Sequence, residues 1–150
     1  MKTPSKQNVI LLAEDDADDR LLTQDALVES QLTADLRFVE NGTELLDYLF
    51  QRGKFADPAS APCPHLILLD LNMPRMDGRE VLQKIKADAT LRRIPIVVLT
   101  TSNADTDIAR TYELGANSFI TKPVTFEALV NVMKTLRLYW FETVELPAGK

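Results

Sequence analysis

Four groups of side chains able to do chemistry each follow directly on a short apolar run. Glu14-Asp15 follows Val9-Ile10-Leu11-Leu12-Ala13, and Asp70 follows Leu66-Ile67-Leu68-Leu69. Thr100 follows Ile96-Val97-Val98-Leu99, and Lys122 follows Ser118-Phe119-Ile120-Thr121. If these positions converge, three carboxylates crowd together, and each resists ionising without a counter-charge. A divalent cation removes the conflict. An all-oxygen donor set without His or Cys favours Mg²⁺, which takes one or two protein carboxylates and keeps several waters. Asp70 beside such an ion could attack a phosphoryl group and form an acyl phosphate. Lys122 offers a compact cation for the charge of the transferred group, and the Thr100 hydroxyl can donate a hydrogen bond to one of its oxygens. Each piece alone has a plainer explanation. Acids ahead of a helix are usually caps, a Lys before Pro is usually surface charge, and a Thr ending a strand is usually a turn residue. The weight lies in their joint placement.

The elements that must position these groups are legible as apolar runs and periodicities. Val9–Ala13, Leu66–Leu69 and Ile96–Leu99 are short and apolar throughout, as strands buried on both faces are. Leu36–Glu40 partly alternates and Ser118–Thr121 is short, so both suit sheet edges. Between them lie a helical stretch with Leu21, Leu22, Ala26 and Val28, and a short helix over Thr43–Phe50 with Leu45, Leu46 and Leu49 inward. A third helix starts at Asp77-Gly78 with Val81, Leu82 and Ile85 on one side, and a fourth spans Asp105–Leu114, closed by Gly115. The acids Asp16, Asp18 and Asp19 suit the positive end of the first helix dipole. Gln51–His65 reads as an unusually long loop. A last helix runs from about Thr125 to Phe141 with Phe126, Leu129, Met133, Leu136 and Trp140 toward the sheet.

Five strand-then-helix units imply an α/β fold, a doubly wound parallel sheet covered by helices on both faces. With strands one, three and four central, the expected order is 2-1-3-4-5. All C-terminal strand ends then share one edge, and the crevice lies between strands one and three, where the order reverses. Glu14, Asp15 and Asp70 flank that crevice.

At 150 residues, 45% hydrophobic and 26% charged, the chain suits one globular domain with a full core. Net charge is -5 with no Lys/Arg cluster, which argues against nucleic-acid binding. No apolar run approaches a membrane span, and the N-terminus has no signal-like apolar core, so a cytoplasmic protein without membrane contact is expected. Cys63 is the single cysteine and reads as a free thiol. His65, the single histidine, reads as a residue at the start of a strand.

Ile10-Leu11-Leu12-Ala13-Glu14-Asp15-Asp16, Leu69-Asp70-Leu71-Asn72-Met73-Pro74 with Asp77-Gly78, Leu99-Thr100-Thr101 and Thr121-Lys122-Pro123 resemble the signature of response-regulator receiver domains. The resemblance covers about Asn8–Leu138, which makes residues 1–150 a single flavodoxin-like receiver domain, with a core near 8–138 and a C-terminal extension over 139–150. It implies that Asp70 accepts a phosphoryl group from a phosphohistidine on a sensor histidine kinase. It implies Mg²⁺ ligation by Asp15, Asp70 and the backbone carbonyl of Asn72, with Glu14 acting through water. Lys122 would contact the phosphoryl group beside a cis Lys122–Pro123 bond. Thr100 and Phe119 would form the switch on the surface of the fourth helix, fifth strand and fifth helix. Such a protein is a signalling phosphoacceptor and not a true enzyme, with self-phosphorylation from small donors and self-dephosphorylation. Two positions depart from the family pattern. Thr101 stands where Ala or Gly is frequent and narrows access to the phosphoryl group. Phe119 stands where Tyr is common and has no hydroxyl to bond once turned inward.

Only a tail follows the last helix, so a DNA-binding output module is not expected. That helix carries a second stripe, Ala128, Val132, Thr135 and Tyr139, and Phe141, Val144 and Leu146 prolong the apolar character. A homodimer through Val132, Tyr139 and Phe141 is the expectation, with a tail folded back over its own domain as the other reading. This tail and the long loop before Pro64 resemble stand-alone response regulators paired with bacterial phytochromes. Other chemistries fit less well. A phosphohydrolase using an aspartyl phosphate wants a second acid two residues on, where Asn72 stands. A flavin module would meet Glu14-Asp15-Asp16 at its phosphate loop. A phosphate-independent adaptor or dimerisation module on the same fold is the main alternative.

Overall fold

A computed structural model of the chain describes residues 8–71, 73, 78–100 and 105–142, with backbone alone at 105–107. The strands are β1 Val9–Ala13, β2 Asp35–Val39, β3 Leu66–Leu69, β4 Ile96–Thr100 and β5 Ser118–Thr121. The helices are α1 Ala17–Glu29, α2 Gly42–Leu49, α3 Gly78–Ala87, α4 Asp105–Glu113 and α5 Phe126–Leu136, prolonged by a π-helical turn over Arg137–Phe141. The strands form one parallel sheet in the order β2-β1-β3-β4-β5, the doubly wound topology expected. β1, β3 and β4 are wholly buried, whereas β2 and β5 are mostly half-buried edges.

Alternation along the strands divides the core in two. Leu11, Ile67, Leu69 and Val98 pack beneath α2 and α3 with Leu45, Leu82 and Ile85. Ile10, Leu66, Leu68 and Val97 pack on the other face with Ala26 and Leu27 of α1 and Leu129, Met133 and Leu136 of α5. Each fully buried Leu or Ile contributes about 1.5–3 kcal/mol to folding.

Three helices end in the same 6→1 hydrogen-bonded turn, with left-handed residues Gln31 (φ 64°), Gln51 (φ 54°) and Gly115 (φ 105°) just past the helix. Only Gly115 announces this in its residue type. The long loop 51–65 contains two 3₁₀ turns, Gly53–Phe55 and Pro58–Ser60, and Tyr48 ties it down by donating to the Pro62 carbonyl at 2.7 Å.

Packing sets the inward face of α1, and α5 differs from expectation at its start. In α1, Leu21, Leu22 and Val28 are exposed, and Thr23, Ala26 and Leu27 point inward. The Thr23 hydroxyl donates to the Asp19 carbonyl at 2.8 Å, which lets a polar side chain occupy the buried stripe. In α5, Phe126 is 42% exposed at the first helical position, and Val130 is buried in the stripe with Leu129, Met133 and Leu136. Trp140 is half-buried against the α1/α5 core. No cis peptide occurs among the described residues, so the Lys122–Pro123 bond is trans, the isomer a prolyl amide favours intrinsically.

Candidate functional site

The site begins with backbone hydrogen bonds that carry the ladder one step past the strands. Glu14 N–H donates to the Val39 carbonyl (3.0 Å), Asp70 N–H to the Ala13 carbonyl (3.1 Å), and Lys122 N–H to the Thr100 carbonyl (2.7 Å). Each functional residue is therefore held in register with its neighbour at the C-terminal edge of the sheet. Carboxylate oxygens of Glu14, Asp15 and Asp70 lie within 4.8 Å of one another, with Glu14 and Asp70 buried and Asp15 exposed. Lys122 reaches in from the end of β5. Its Nζ donates to Glu14 Oε1, to Asp19 Oδ2 at 3.1 Å and to Asp70 Oδ2 at 3.4 Å. Thr100 is fully buried at the end of β4.

The electrostatics follow from crowding. Burial pushes the Glu14 carboxyl up to about 7; the Lys122 hydrogen bond opposes that and the Asp70 charge adds to it. Burial alone would lower Lys122, but the hydrogen bond it donates to Glu14 and the charges of Asp70 and Glu14 win. Its ammonium is held above the ordinary lysine range. A buried acid driven toward neutrality beside two other carboxylates is the arrangement that a divalent cation relieves. The donor set of hard oxygens fits Mg²⁺ or Mn²⁺.

The β1–α1 connection is fixed locally. Asp16 caps α1, its side chain accepting from Asp18 N–H (2.8 Å) and Asp19 N–H (3.1 Å). Arg20 donates to the carbonyls of Glu14 (3.0 Å) and Asp15 (3.2 Å), clamping the peptide that presents both acids. This role of Arg20 had no signal in sequence, since its partners are backbone atoms. Asp19 read only as a helix-dipole acid, because its partner Lys122 lies 103 positions away along the chain.

Phe119 is half-buried against the α2/α3 core, and its N–H donates to the Tyr112 hydroxyl of α4 at 3.1 Å. Val132 and Phe141 are half-buried against their own α1/α5 core, while Tyr139 is 50% exposed beside Leu138. Asn72, Thr101, Val144 and Leu146 lie outside the described residues.

Comparison with known proteins agrees with this geometry. Residues 10–134 match the response regulator receiver domain family. The chain is 42% identical over 141 residues to response regulator Rcp1 of Synechocystis sp., covering 94% of each protein. The Mn²⁺-bound structure of Rcp1 superposes with a TM-score of 0.84, covering 94% of this chain and 99% of that one. The phosphorylated cyanobacterial phytochrome response regulator RcpA is 43% identical with a TM-score of 0.88, over 95% of this chain and 100% of that one. RPA3017, a response regulator in red light signaling of R. palustris, is 38% identical with a TM-score of 0.89, over 94% and 99%.

Proposed function

The chain belongs to the response regulator receiver family, and from that premise we propose that Asp70 accepts a phosphoryl group from a phosphohistidine on a sensor histidine kinase. The observation that carries this reading is Lys122 Nζ lying between Glu14 and Asp70 while the oxygens of Glu14, Asp15 and Asp70 gather within 4.8 Å. Asp15 and Asp70 would hold Mg²⁺ with the Asn72 carbonyl, Glu14 acting through water, and the ion would supply positive charge against the phosphoryl oxygens. Asp70 Oδ attacks phosphorus, and an O–P bond forms as the P–N bond to the kinase imidazole breaks. The electron pair returns to the imidazole nitrogen. Lys122, already within reach of Asp70, follows the new negative charge onto the phosphoryl oxygens. Thr100 donates its hydroxyl from the end of β4, and Phe119 turns toward the space behind it. The equilibrium so biased is worth ~1–3 kcal/mol, as such couplings usually are.

The test is intact mass after incubation with a small acyl phosphate. One phosphoryl adduct that needs both Mg²⁺ and Asp70 supports the reading. An adduct on Asp70→Asn, or none on the wild type, rejects it.

The named light-signalling relatives support a phytochrome kinase as the donor; transfer from such a kinase that responds to red and far-red light is the expected result. A homodimer through the last helix is supported by Tyr139 and Leu138, each 50% exposed. Val132 and Phe141 offer only their outer edges to it. A monomer in sedimentation at micromolar concentration, with and without a phosphoryl mimic, would contradict the dimer.

A further inference from the structure

Lys122 Nζ carries three protons and meets three carboxylates, Glu14, Asp19 (3.1 Å) and Asp70 (3.4 Å). Their side chains are 3%, 41% and 10% exposed, so Asp19 holds the lysine from the solvent rim and the other two from within. The contact with Asp70, where chemistry occurs, is the longest of the three. Asp19 is firmly placed. Its N–H donates to the Asp16 side chain at 3.1 Å, and its carbonyl accepts from the Thr23 hydroxyl at 2.8 Å. A helix dipole would be satisfied by an acid anywhere in this first turn. It does not require a contact with a lysine 103 positions away along the chain. Asp19 also lies outside the cluster formed by Glu14, Asp15 and Asp70, so its contact with the lysine is separate from the group of acids that could hold a cation.

We propose that Asp19 is a positioning residue that competes with the phosphoryl group for Lys122 and so sets how readily the lysine meets an incoming donor. The inference rests on the phosphoacceptor reading above. Without the Asp19 carboxylate, Lys122 is shared between fewer acids and turns more readily to a phosphoryl oxygen.

The experiment follows phosphorylation by a small acyl phosphate with Mg²⁺ as a function of donor concentration, for wild type and the Asp19→Asn, Asp19→Glu, Asp18→Asn and Asp70→Asn variants. Asp18→Asn removes the same charge one residue away. The half-saturating donor concentration of Asp19→Asn should fall by roughly fivefold with the maximal rate little changed. Asp19→Glu, which keeps a carboxylate, and Asp18→Asn should stay near wild type. Wild-type behaviour of Asp19→Asn overturns the proposal, and so does an equal shift in Asp18→Asn, which would reduce the effect to general charge. A wild type that takes up no more phosphoryl than Asp70→Asn would instead reject the phosphoacceptor reading itself, and this proposal with it.

Discussion

His65 belongs to the frame of the sheet. Val9 N–H donates to its Nδ1 at 2.9 Å, and its own N–H donates to the Val9 carbonyl at 2.8 Å, extending the β1–β3 pairing by one step. An imidazole accepting at Nδ1 is neutral, with its proton on Nε2. Burial lowers its pKa below the ordinary 6.5. A base whose folded pKa is depressed contributes stability that is present above 6.5 and lost as pH falls through the folded value, because the unfolded chain then binds more protons. His65→Gln keeps an acceptor but does not titrate. The difference between wild-type and variant unfolding free energies should therefore bend downward below pH 6.5 in urea titrations; parallel curves would contradict this role. At this scale the acids and Lys122 were legible because each stands where an apolar run stops. Asp19 was not, since its partner is remote in sequence and an acid in a first helical turn has a local explanation.

Among the elements, the β3–α3 connection is held by a close backbone approach. Gly78 N–H donates to the Leu71 carbonyl at 3.0 Å, and a Cβ at Gly78 would come within 2.7 Å of Leu71 Cα and 2.9 Å of the Asp70 carbonyl oxygen. Gly78→Ala should cost about 1–3 kcal/mol by overpacking, although alanine favours helix, and should slow phosphorylation by displacing Asp70. Unchanged stability and rate would show that the loop gives way freely. Strands were readable because a run of branched aliphatics fits little else. Helix phase was harder. α1 carries leucines on several sides, and its inward stripe includes Thr23, whose hydroxyl is satisfied within the helix. α5 begins with Phe126, which is large and apolar but sits in the first turn and stays 42% exposed. Met133→Ala should therefore cost about 2–5 kcal/mol, and Phe126→Ala less than about 1 kcal/mol. The reverse ranking in chemical denaturation would place Phe126 in the core with Met133, as its apolar spacing suggested.

For the whole molecule, topology does the gathering. In a parallel sheet every strand points the same way, so residues placed after β1, β3, β4 and β5 meet at one edge. The switch in order between β1 and β3 puts Glu14, Asp15 and Asp70 side by side there. That arrangement followed from the alternation of strand and helix patterns, whereas the contact of α5 with α1 and the docking of the π-helical turn depend on packing that no local signal specifies. On the proposed function, this edge places one phosphoryl group on one carboxylate. Borohydride reduction of the phosphorylated protein converts an acyl phosphate to an alcohol, and peptide mapping then locates it. Homoserine is expected at position 70 alone, and only after treatment with donor and Mg²⁺. Modification at Asp15 or Asp19, or none at any carboxylate despite phosphoryl uptake, would contradict it.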